Sequence, residues 1–194
     1  MEPVRKISGP VEALDRSDVD TDQIIPKQFL KRIERTGFGE FLFYDWMKDP
    51  AFPLHRPEFA GAPILATGRN FGCGSSREHA AWAIQEFGFE AVVAESFGDI
   101  FQTNCSKIGL LTVALPQAHV RELLDSAPAA ATIDLEAQTV ALPSGRAASF
   151  DIDAGVRERL LNGWDDIALT ERRAAEIDRY ESDRERPGPN VLTL

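Results

Sequence analysis

Short apolar runs alternate with a helical pattern in the middle of the chain. The runs Pro63–Thr67 and Ala91–Ala94 are bounded by Pro, Gly or charged residues and are typical of buried strands. Between them, apolar side chains recur at helical spacing until Gly88, which favours a helix end; they are Ala80, Ala81, Ile84 and Phe87. A strand, a helix and a second strand in this order predict one right-handed crossover unit with two parallel strands.

The start of that helix is predicted from the sequence Ser75-Ser76-Arg77-Glu78. In a capping box, a serine hydroxyl accepts a hydrogen bond from the backbone N–H three residues later, and a glutamate at that later position bonds back to the serine N–H. We therefore expect the helix to begin at Ser75, with Glu78 in its first turn.

The second half of the chain predicts shorter elements. Leu110–Leu115 is a third apolar strand, and His119–Ser126 has the spacing of an amphipathic helix. Partly alternating stretches separated by turn-like residues predict antiparallel strands beside the crossover unit; they span residues 132–135, 139–142 and 148–152. Two helices should follow. They are expected at about 154–162, stopped by Gly163, and at about 170–182, with Ala174, Ile177 and Tyr180 facing inward.

These elements predict an α/β fold, a mixed sheet with C-terminal helices. The 194 residues fit a single domain, which we place at residues 1–182. The remaining residues, 183–194, alternate in charge and then contain Pro187-Gly188-Pro189, the composition of a solvated tail. Charged residues are sparsest between positions 61 and 120, so we expect the buried sheet to lie in that third of the chain.

Charge and hydropathy narrow the classes of function. The formal net charge of −10 is the wrong sign for gripping nucleic acid or an anionic membrane, so neither is an expected partner. No apolar run approaches the roughly 18 residues of a membrane span, and residues 1–18 alternate charged and apolar positions without a signal-peptide core. A cytoplasmic location is the default expectation. The two cysteines, Cys73 and Cys105, are too few for an iron–sulfur cluster or a typical zinc site on this chain.

The segment from Gly68 to His79 carries the candidate chemistry. Glycines at 72 and 74 allow positive φ and close approach of a ligand, and the expected helix directs unpaired N–H groups into the same space. The dinucleotide fingerprint, the phosphate loop and the nucleophile elbow all fail to match this stretch. Two hydroxyls and a guanidinium remain, a set suited to holding a carboxylate next to a reacting carbon.

Three segments, in order, resemble the family of 3-isopropylmalate dehydratase small subunits. They are Asp20–Phe29, Asn70–Ala80 and Ser96–Phe101 with Asn104, and the similarity extends from Val19 to about Tyr180. One departure is Thr112, where the family pattern has Pro. The resemblance implies the swivelling β/β/α domain of the aconitase superfamily.

The resemblance also implies a function shared between two chains. A [4Fe-4S] cluster is expected on a separate large subunit, not on this chain, with one iron polarising the substrate hydroxyl as a Lewis acid. The pair would be a hydro-lyase of leucine biosynthesis, active only when assembled. It would convert 2-isopropylmalate to 3-isopropylmalate through isopropylmaleate, by loss and re-addition of water.

Site roles follow from the same resemblance. Ser75 corresponds to the general base in its alkoxide form, and Arg77 to the residue that binds a substrate carboxylate. Ser76 adds a hydrogen bond, and Asp22 corresponds to a carboxylate that orients the site, with Thr21 beside it. Gly74 is expected to border the substrate.

The stretch Lys27–Gly39 resembles the loop that recognises the substrate side group. Arg35 is the candidate for a further carboxylate contact. Three apolar residues are candidate neighbours of the isopropyl group: Phe29, Leu30 and Ile33.

Each assignment has a plainer alternative on local grounds. Ser75 is a good helix cap, Asp22 could simply start a turn, and Arg77 could be a surface residue, although a cation at a helix N-terminus requires an anionic partner. Cys73 is more typical of a small packing residue than of a thiolate nucleophile. His79 could face the site or support the helix.

Two other functions stay open at this level. One is a related hydro-lyase acting on a methylmalate- or homocitrate-type acid. The other is a non-enzymatic module that binds a carboxylate.

Overall fold

The computed structural model describes residues 1–32, 34 and 36–184. The strands within this part of the chain are β1 (Lys6–Leu14), β2 (Ile64–Thr67), β3 (Ala91–Ala94), β4 (Leu111–Ala114), β5 (Ala130–Asp134), β6 (Thr139–Ala141) and β7 (Ala147–Ser149). The α-helices are α1 (Thr21–Ile24), α2 (Glu78–Phe87), α3 (Asp99–Ile108), α4 (Gln117–Ser126), α5 (Ala154–Asn162), α6 (Asp166–Glu171) and α7 (Ala174–Arg184). Short 3₁₀ turns span Lys27–Lys31, Gly39–Phe41, Trp46–Lys48, Pro53–His55 and Pro57–Phe59.

All seven strands form one mixed sheet with the order β4-β3-β2-β1-β5-β6-β7. Strands β1 to β4 are parallel, with Leu65 paired to both Glu12 and Val92. Strands β5, β6 and β7 continue the sheet in antiparallel fashion from the other side of β1. The predicted crossover unit, the third strand and the antiparallel strands beside them are all confirmed.

Strand β1 and the helices α1 and α3 are elements that the sequence pattern did not predict. The expectation that residues 61–120 contain the buried sheet is wrong in this respect, because the strand between the two halves comes from the N-terminal third. Its apolar residues alternate with exposed ones, but Ser8-Gly9-Pro10 interrupts the pattern. Gly9 is required there, since a Cβ would lie 2.6 Å from the Pro63 side chain.

A carboxyl group is buried on β1. Glu12 is only 2% exposed, and in the described part of the chain its Oε1 has no hydrogen-bond partner. Burial raises the pKa of Glu12 to about 8, against the opposing effect of Arg56. The group is therefore mostly neutral at pH 7, which reduces the cost of holding it in the core.

Two apolar cores cover the two faces of the sheet. Helices α2 and α3 pack on one face, where Ala81, Ile84 and Phe101 are buried beside Leu65. Helix α4 packs on the other face, together with part of α5. Strands β2 and β3 are consequently buried along both faces, as their continuous apolar runs predict.

The predicted start of α2 is wrong. The helix begins at Glu78 with Arg77 as its N-cap residue, and the N-cap makes no side-chain capping hydrogen bond within the described residues. The end at Gly88 is confirmed by its φ of 122°. Phe87, expected on the buried face, is 41% exposed.

The C-terminal helices are partly as predicted. Helix α5 and its stop at Gly163, which has φ 68°, are confirmed. The second predicted helix is two helices, α6 and α7. Ala174 and Tyr180 are exposed, so the inward face expected there is wrong, and Ile177 is half-buried.

The domain boundary at residue 182 stays a prediction. Helix α7 extends to Arg184, and the rest of the predicted tail, residues 185–194, lies outside the described residues. Among the helices described, none combines the length and apolarity that crossing a bilayer requires.

Candidate active site

Three of the segments singled out from the sequence meet at one edge of the sheet. Strands β1, β2 and β3 are parallel, so the segments that follow them leave from the same edge. The Gly72 N–H donates to the Val19 carbonyl at 2.8 Å, the Phe71 N–H to the Ser96 carbonyl at 3.0 Å, and the Gly98 N–H to the Phe71 carbonyl at 2.9 Å. The loop after β2 is thus held by main-chain hydrogen bonds on both sides.

Two glycines make this close approach possible. Gly72 has φ 73°, and a Cβ there would lie 2.2 Å from Cγ of Phe101. A Cβ on Gly98 would lie 2.6 Å from the Gly72 carbonyl oxygen. Each position excludes a larger side chain because other atoms already fill the space.

Helix α1 places Thr21 and Asp22 against the same loop. Asp20 caps the helix: its Oδ1 accepts from the Gln23 N–H at 2.8 Å, and the Gln23 side chain accepts from the Asp20 N–H at 3.0 Å. The Thr21 N–H donates to the Cys73 carbonyl at 2.9 Å. This short helix therefore starts in a fixed position beside the loop.

The Thr21 side chain holds the residue expected to act as a base. Thr21 is 2% exposed, and its Oγ1 donates to the carbonyl oxygen of Ser75 at 3.0 Å. This contact fixes the Ser75 backbone. A direct contact between Thr21 and substrate stays a prediction.

Arg77 and Asp22 form an ion pair across the site. The Arg77 Nη2 donates a hydrogen bond to the Asp22 Oδ2 at 2.7 Å. The Arg77 Nη1 lies 2.5 Å from the Asp22 Oδ1, but its N–H groups are not aligned for a hydrogen bond. The Arg77 side chain is 13% exposed and that of Asp22 is 52% exposed. The hydrogen bond from Arg77 lowers the pKa of Asp22 below its usual value, so Asp22 is a carboxylate at neutral pH. The anionic partner that Arg77 requires is therefore Asp22.

Ser75, Ser76 and Gly74 are exposed at the end of the loop. Because α2 begins only at Glu78, the Ser75 hydroxyl is not its cap, and that alternative is wrong. Gly74 has φ 93°, and a Cβ there would lie 3.5 Å from the Cβ of Asp20. The structure thus brings together Thr21, Asp22, Gly74, Ser75, Ser76 and Arg77.

Cys73 and His79 lie nearby with properties of packing residues. Burial, together with Asp20 and Asp18, raises the pKa of Cys73, which disfavours a thiolate. The His79 ring lies 5.0 Å from the Phe38 ring and 4.8 Å from the Trp82 ring. Burial lowers the pKa of His79, so a neutral, aromatic-packed ring is favoured.

The described apolar residues of the Lys27–Gly39 stretch pack against the same core as α2. The Phe29 ring stacks on Phe41 with centroids 4.0 Å apart, and Leu30 packs at the edge of the cluster that contains Phe38. Arg35 and Ile33 lie outside the described residues, so their predicted contacts stay predictions.

Comparisons with known proteins agree with this arrangement. The family described as the aconitase C-terminal domain matches residues 1–118, and the LeuD_N family matches residues 122–154. A 3-isopropylmalate dehydratase small subunit from Rubrobacter xylanophilus is 56% identical over 99% of this chain and 100% of its own length. The chain belongs to the family of 3-isopropylmalate dehydratase small subunits.

Further relatives of the same name support the assignment. The small subunit from Halalkalibacterium halodurans is 51% identical over 95% of this chain and all of that protein. The crystal structure of a 3-isopropylmalate dehydratase (leuD) from Methanocaldococcus jannaschii shares 27% identity with a TM-score of 0.68, covering 90% of this chain and 99% of that one. The predicted family and aconitase-superfamily fold are confirmed, and the small-subunit name implies a large-subunit partner.

Enzymes of the aconitase family typically carry an iron–sulfur cluster, and the described residues do not fit one. No group of three or more His, Cys, Asp or Glu side chains in residues 1–32, 34 and 36–184 could hold a metal ion. Cys105 is wholly buried, and burial raises its pKa well above the usual value. Thiolate ligation by this part of the small subunit is therefore disfavoured.

A pair of residues that supports the site was missed by the sequence reasoning. Asp18 and Asn70 both have positive φ, 56° and 55°, and the Asn70 Nδ2 donates to the Asp18 Oδ1 at 2.9 Å. The Asn70 N–H also donates to the Ser96 Oγ at 2.9 Å. Asp and Asn tolerate this backbone region, so their positions, two residues before Asp20 and at the start of the Asn70–Ala80 motif, were the available signal.

Proposed function

We propose that this small subunit, assembled with a large subunit, isomerises 2-isopropylmalate to 3-isopropylmalate by loss and re-addition of water. The observation that carries the proposal is the position of Ser75. It is exposed, it is not a helix cap, and its backbone is fixed by Thr21 beside the Arg77–Asp22 pair. A reactive hydroxyl requires such a fixed and accessible place.

The proton-transfer role falls to Ser75. A serine hydroxyl is a poor base at neutral pH, so its alkoxide must be stabilised by positive charge once water is excluded. Helix α2 begins three residues after Ser75, so the positive end of its dipole is near, and the cationic residue Arg77 lies between Ser75 and the helix in the sequence. Both favour an anion at this position when a partner subunit covers the exposed face.

Substrate binding is proposed for Arg77 and its neighbours. Two of the guanidinium nitrogens contact Asp22, and a guanidinium has five N–H donors, so donors remain for a substrate carboxylate. Asp22 holds the guanidinium in place, Ser76 adds a hydroxyl donor, and the absence of a side chain at Gly74 lets the substrate approach. Arg35 is proposed as a second carboxylate contact.

The iron–sulfur cluster is proposed to reside on the large subunit, because the described cysteines of this chain are unsuited to it. The pair is proposed to work in the cytoplasm on a dicarboxylic hydroxy acid, without nucleic acid or membrane. The contribution of this chain is then confined to the base, the carboxylate-binding groups and the residues that orient them.

The proposal is tested by reconstitution. The chain is purified alone and also together with the large subunit, and formation of the unsaturated intermediate is followed by its absorbance. We expect turnover of isopropylmalate only in the combined sample. Turnover by the small subunit alone would contradict the proposal, and turnover of methylmalate or homocitrate in preference to isopropylmalate would favour the related hydro-lyase.

A further inference from the structure

Glu86 makes a contact that the proposed chemistry does not use. It lies in the last turn of α2, and its Oε2 accepts from the Phe38 N–H at 2.5 Å and from the Gly39 N–H at 3.2 Å. These two N–H groups open the 3₁₀ turn Gly39–Phe41. One carboxylate oxygen therefore satisfies two backbone donors at the start of this turn.

The position of Glu86 is unfavourable for α2 itself. A negative charge in the last turn of a helix opposes the helix dipole, and the sequence places no basic residue in that turn. At the start of the Gly39–Phe41 turn the same charge is favourable, because free N–H groups face it there. The carboxylate thus contributes to the contact between the two elements and not to the helix.

The packing around this contact is close. A Cβ on Gly39 would lie 2.8 Å from the backbone carbon of Glu86, so only glycine allows the turn to touch α2. Phe38 is fully buried, with its ring 5.0 Å from His79 and 5.6 Å from Trp82. The turn is therefore attached to α2, the helix whose N-cap residue is Arg77.

We call the Lys27–Gly39 stretch the side-group loop. The Gly39–Phe41 turn supports described residues of this loop. Phe29 stacks on Phe41 at 4.0 Å, and the Arg32 guanidinium lies 5.0 Å from the Phe41 ring centroid. Arg32 also bonds to Glu40, with Nη1 3.3 Å from Oε1. Contacts from both Phe29 and Arg32 thus converge on this turn.

We propose that Glu86 is a positioning residue that sets the side-group loop relative to Ser75 and Arg77, and thereby the affinity for the substrate side group. The inference rests on the proposed function. Because α2 carries Arg77 at its start and Glu86 in its last turn, one rigid helix connects the carboxylate-binding end of the site to the base of the loop.

The test compares Glu86→Ala with Glu86→Gln, since glutamine keeps an acceptor oxygen. With the reconstituted enzyme, Glu86→Ala should raise KM for isopropylmalate about tenfold with kcat within about twofold, the loss expected for hydrogen bonds to a charged group. KM for methylmalate, which has a smaller side group, should rise less. Glu86→Gln should restore KM to within about threefold of wild type.

A matched control is available on α4. Glu122 also accepts a backbone N–H from another segment, that of Ser144 at 3.1 Å, but Ser144 belongs to the β6–β7 turn. Glu122→Ala should leave KM unchanged. An equal rise in KM for Glu122→Ala, or no rise for Glu86→Ala, would overturn the inference.

A second measurement does not depend on turnover. Hydrogen exchange of the small subunit alone should show faster exchange at the Phe38 and Gly39 amides in Glu86→Ala, and unchanged exchange in the middle of α2. Unchanged exchange at both amides would show that Glu86 does not hold the turn. The proposed function is decided separately, by whether the wild-type pair turns over isopropylmalate.

Discussion

The two loops that make up the candidate site are held in different ways. The catalytic loop, residues 68–77, is fixed mainly by main-chain hydrogen bonds to Val19, Ser96 and Thr21 and by glycines that allow close approach. The described residues of the side-group loop, 27–32, 34 and 36–39, make side-chain contacts instead: the Phe29–Phe41 stack, the Arg32–Glu40 pair and the Glu86 carboxylate.

In the proposed function, the first loop carries the base and the second loop recognises the substrate side group, so this difference would separate the chemistry from the specificity. Main-chain contacts tolerate many side chains, so a loop held by them can keep one geometry while its exposed residues serve catalysis. Contacts between side chains change with every substitution. A loop held by them can change its shape without disturbing Ser75 or Arg77, and in the proposed function this would change the side group that is recognised.

The largest effect is expected for Ser75→Ala. If Ser75 is the base, as proposed, its loss should lower kcat of the reconstituted enzyme by about 10²- to 10⁴-fold. The free energy of unfolding should change by less than about 0.5 kcal/mol, because Ser75 is exposed and does not cap α2.

Steady-state kinetics and urea unfolding measure the two quantities. Ser182, an exposed serine on α7, is the matched control, and Ser182→Ala should leave kcat unchanged. Full turnover in Ser75→Ala would instead support a module that only binds a carboxylate.

The close packing of the catalytic loop is tested by Gly72→Ala. The new Cβ meets Phe101 at 2.2 Å, and the positive φ adds strain, so the free energy of unfolding should fall by about 3 kcal/mol or more. Urea unfolding followed by circular dichroism provides the measurement.

A substitution at Gly145 separates the effect of backbone strain on stability from the effect of the clash with Phe101. It has φ 83° with open space around it, so Gly145→Ala carries the strain without the clash and should cost about 1 kcal/mol. Equal losses in the two variants would mean that the contact with Phe101 is unimportant.

A moderate effect is expected for Phe41→Leu. Losing the stack with Phe29 should cost about 1 kcal/mol of stability and raise KM for isopropylmalate several-fold, with kcat little changed. Kinetics of the reconstituted enzyme test this. A fall in kcat with KM unchanged would mean that the two loops are not separable.

The smallest effect is expected for Asp22→Asn on stability. The pair with Arg77 is half exposed on the Asp22 side, so its contribution should be below about 1 kcal/mol at pH 7. Because the folded-state pKa of Asp22 is lowered from its usual 3.8, this contribution is present above pH 3.8 and is lost as pH falls through the lowered value.

Urea unfolding of both proteins at a series of pH values measures that difference. The curves of wild type and variant should converge in acid and separate above about pH 4. A constant difference across this range would show that Arg77 does not perturb Asp22.

Local patterns predicted much of the fold. Buried parallel strands, the stop at Gly88 and the helix ending at Gly163 follow from local signals that the surroundings do not override. The start of α2 was mispredicted because Thr21 holds the Ser75 carbonyl, and this long-range contact keeps the backbone out of the helix.

A tertiary contact also explains why strand β1 was not predicted. Strand β1 contains Ser8-Gly9-Pro10, a turn-like sequence that becomes part of a strand because β5 pairs with it. For the site, the motifs predicted six residues that the structure brings together, while the place of Arg35 stays a prediction. They could not predict the Arg77–Asp22 pair or the Thr21–Ser75 bond, which join positions more than 50 residues apart.

The place of β1 between β2 and β5 also decides how the protein can be divided. A cut between β4 and β5 looks natural, since it separates the parallel strands from the antiparallel ones. Either fragment, however, needs the same N-terminal strand to complete its edge. The two fragments are therefore expected to recover structure only when mixed, with the piece that carries β1 acting as the template for the other.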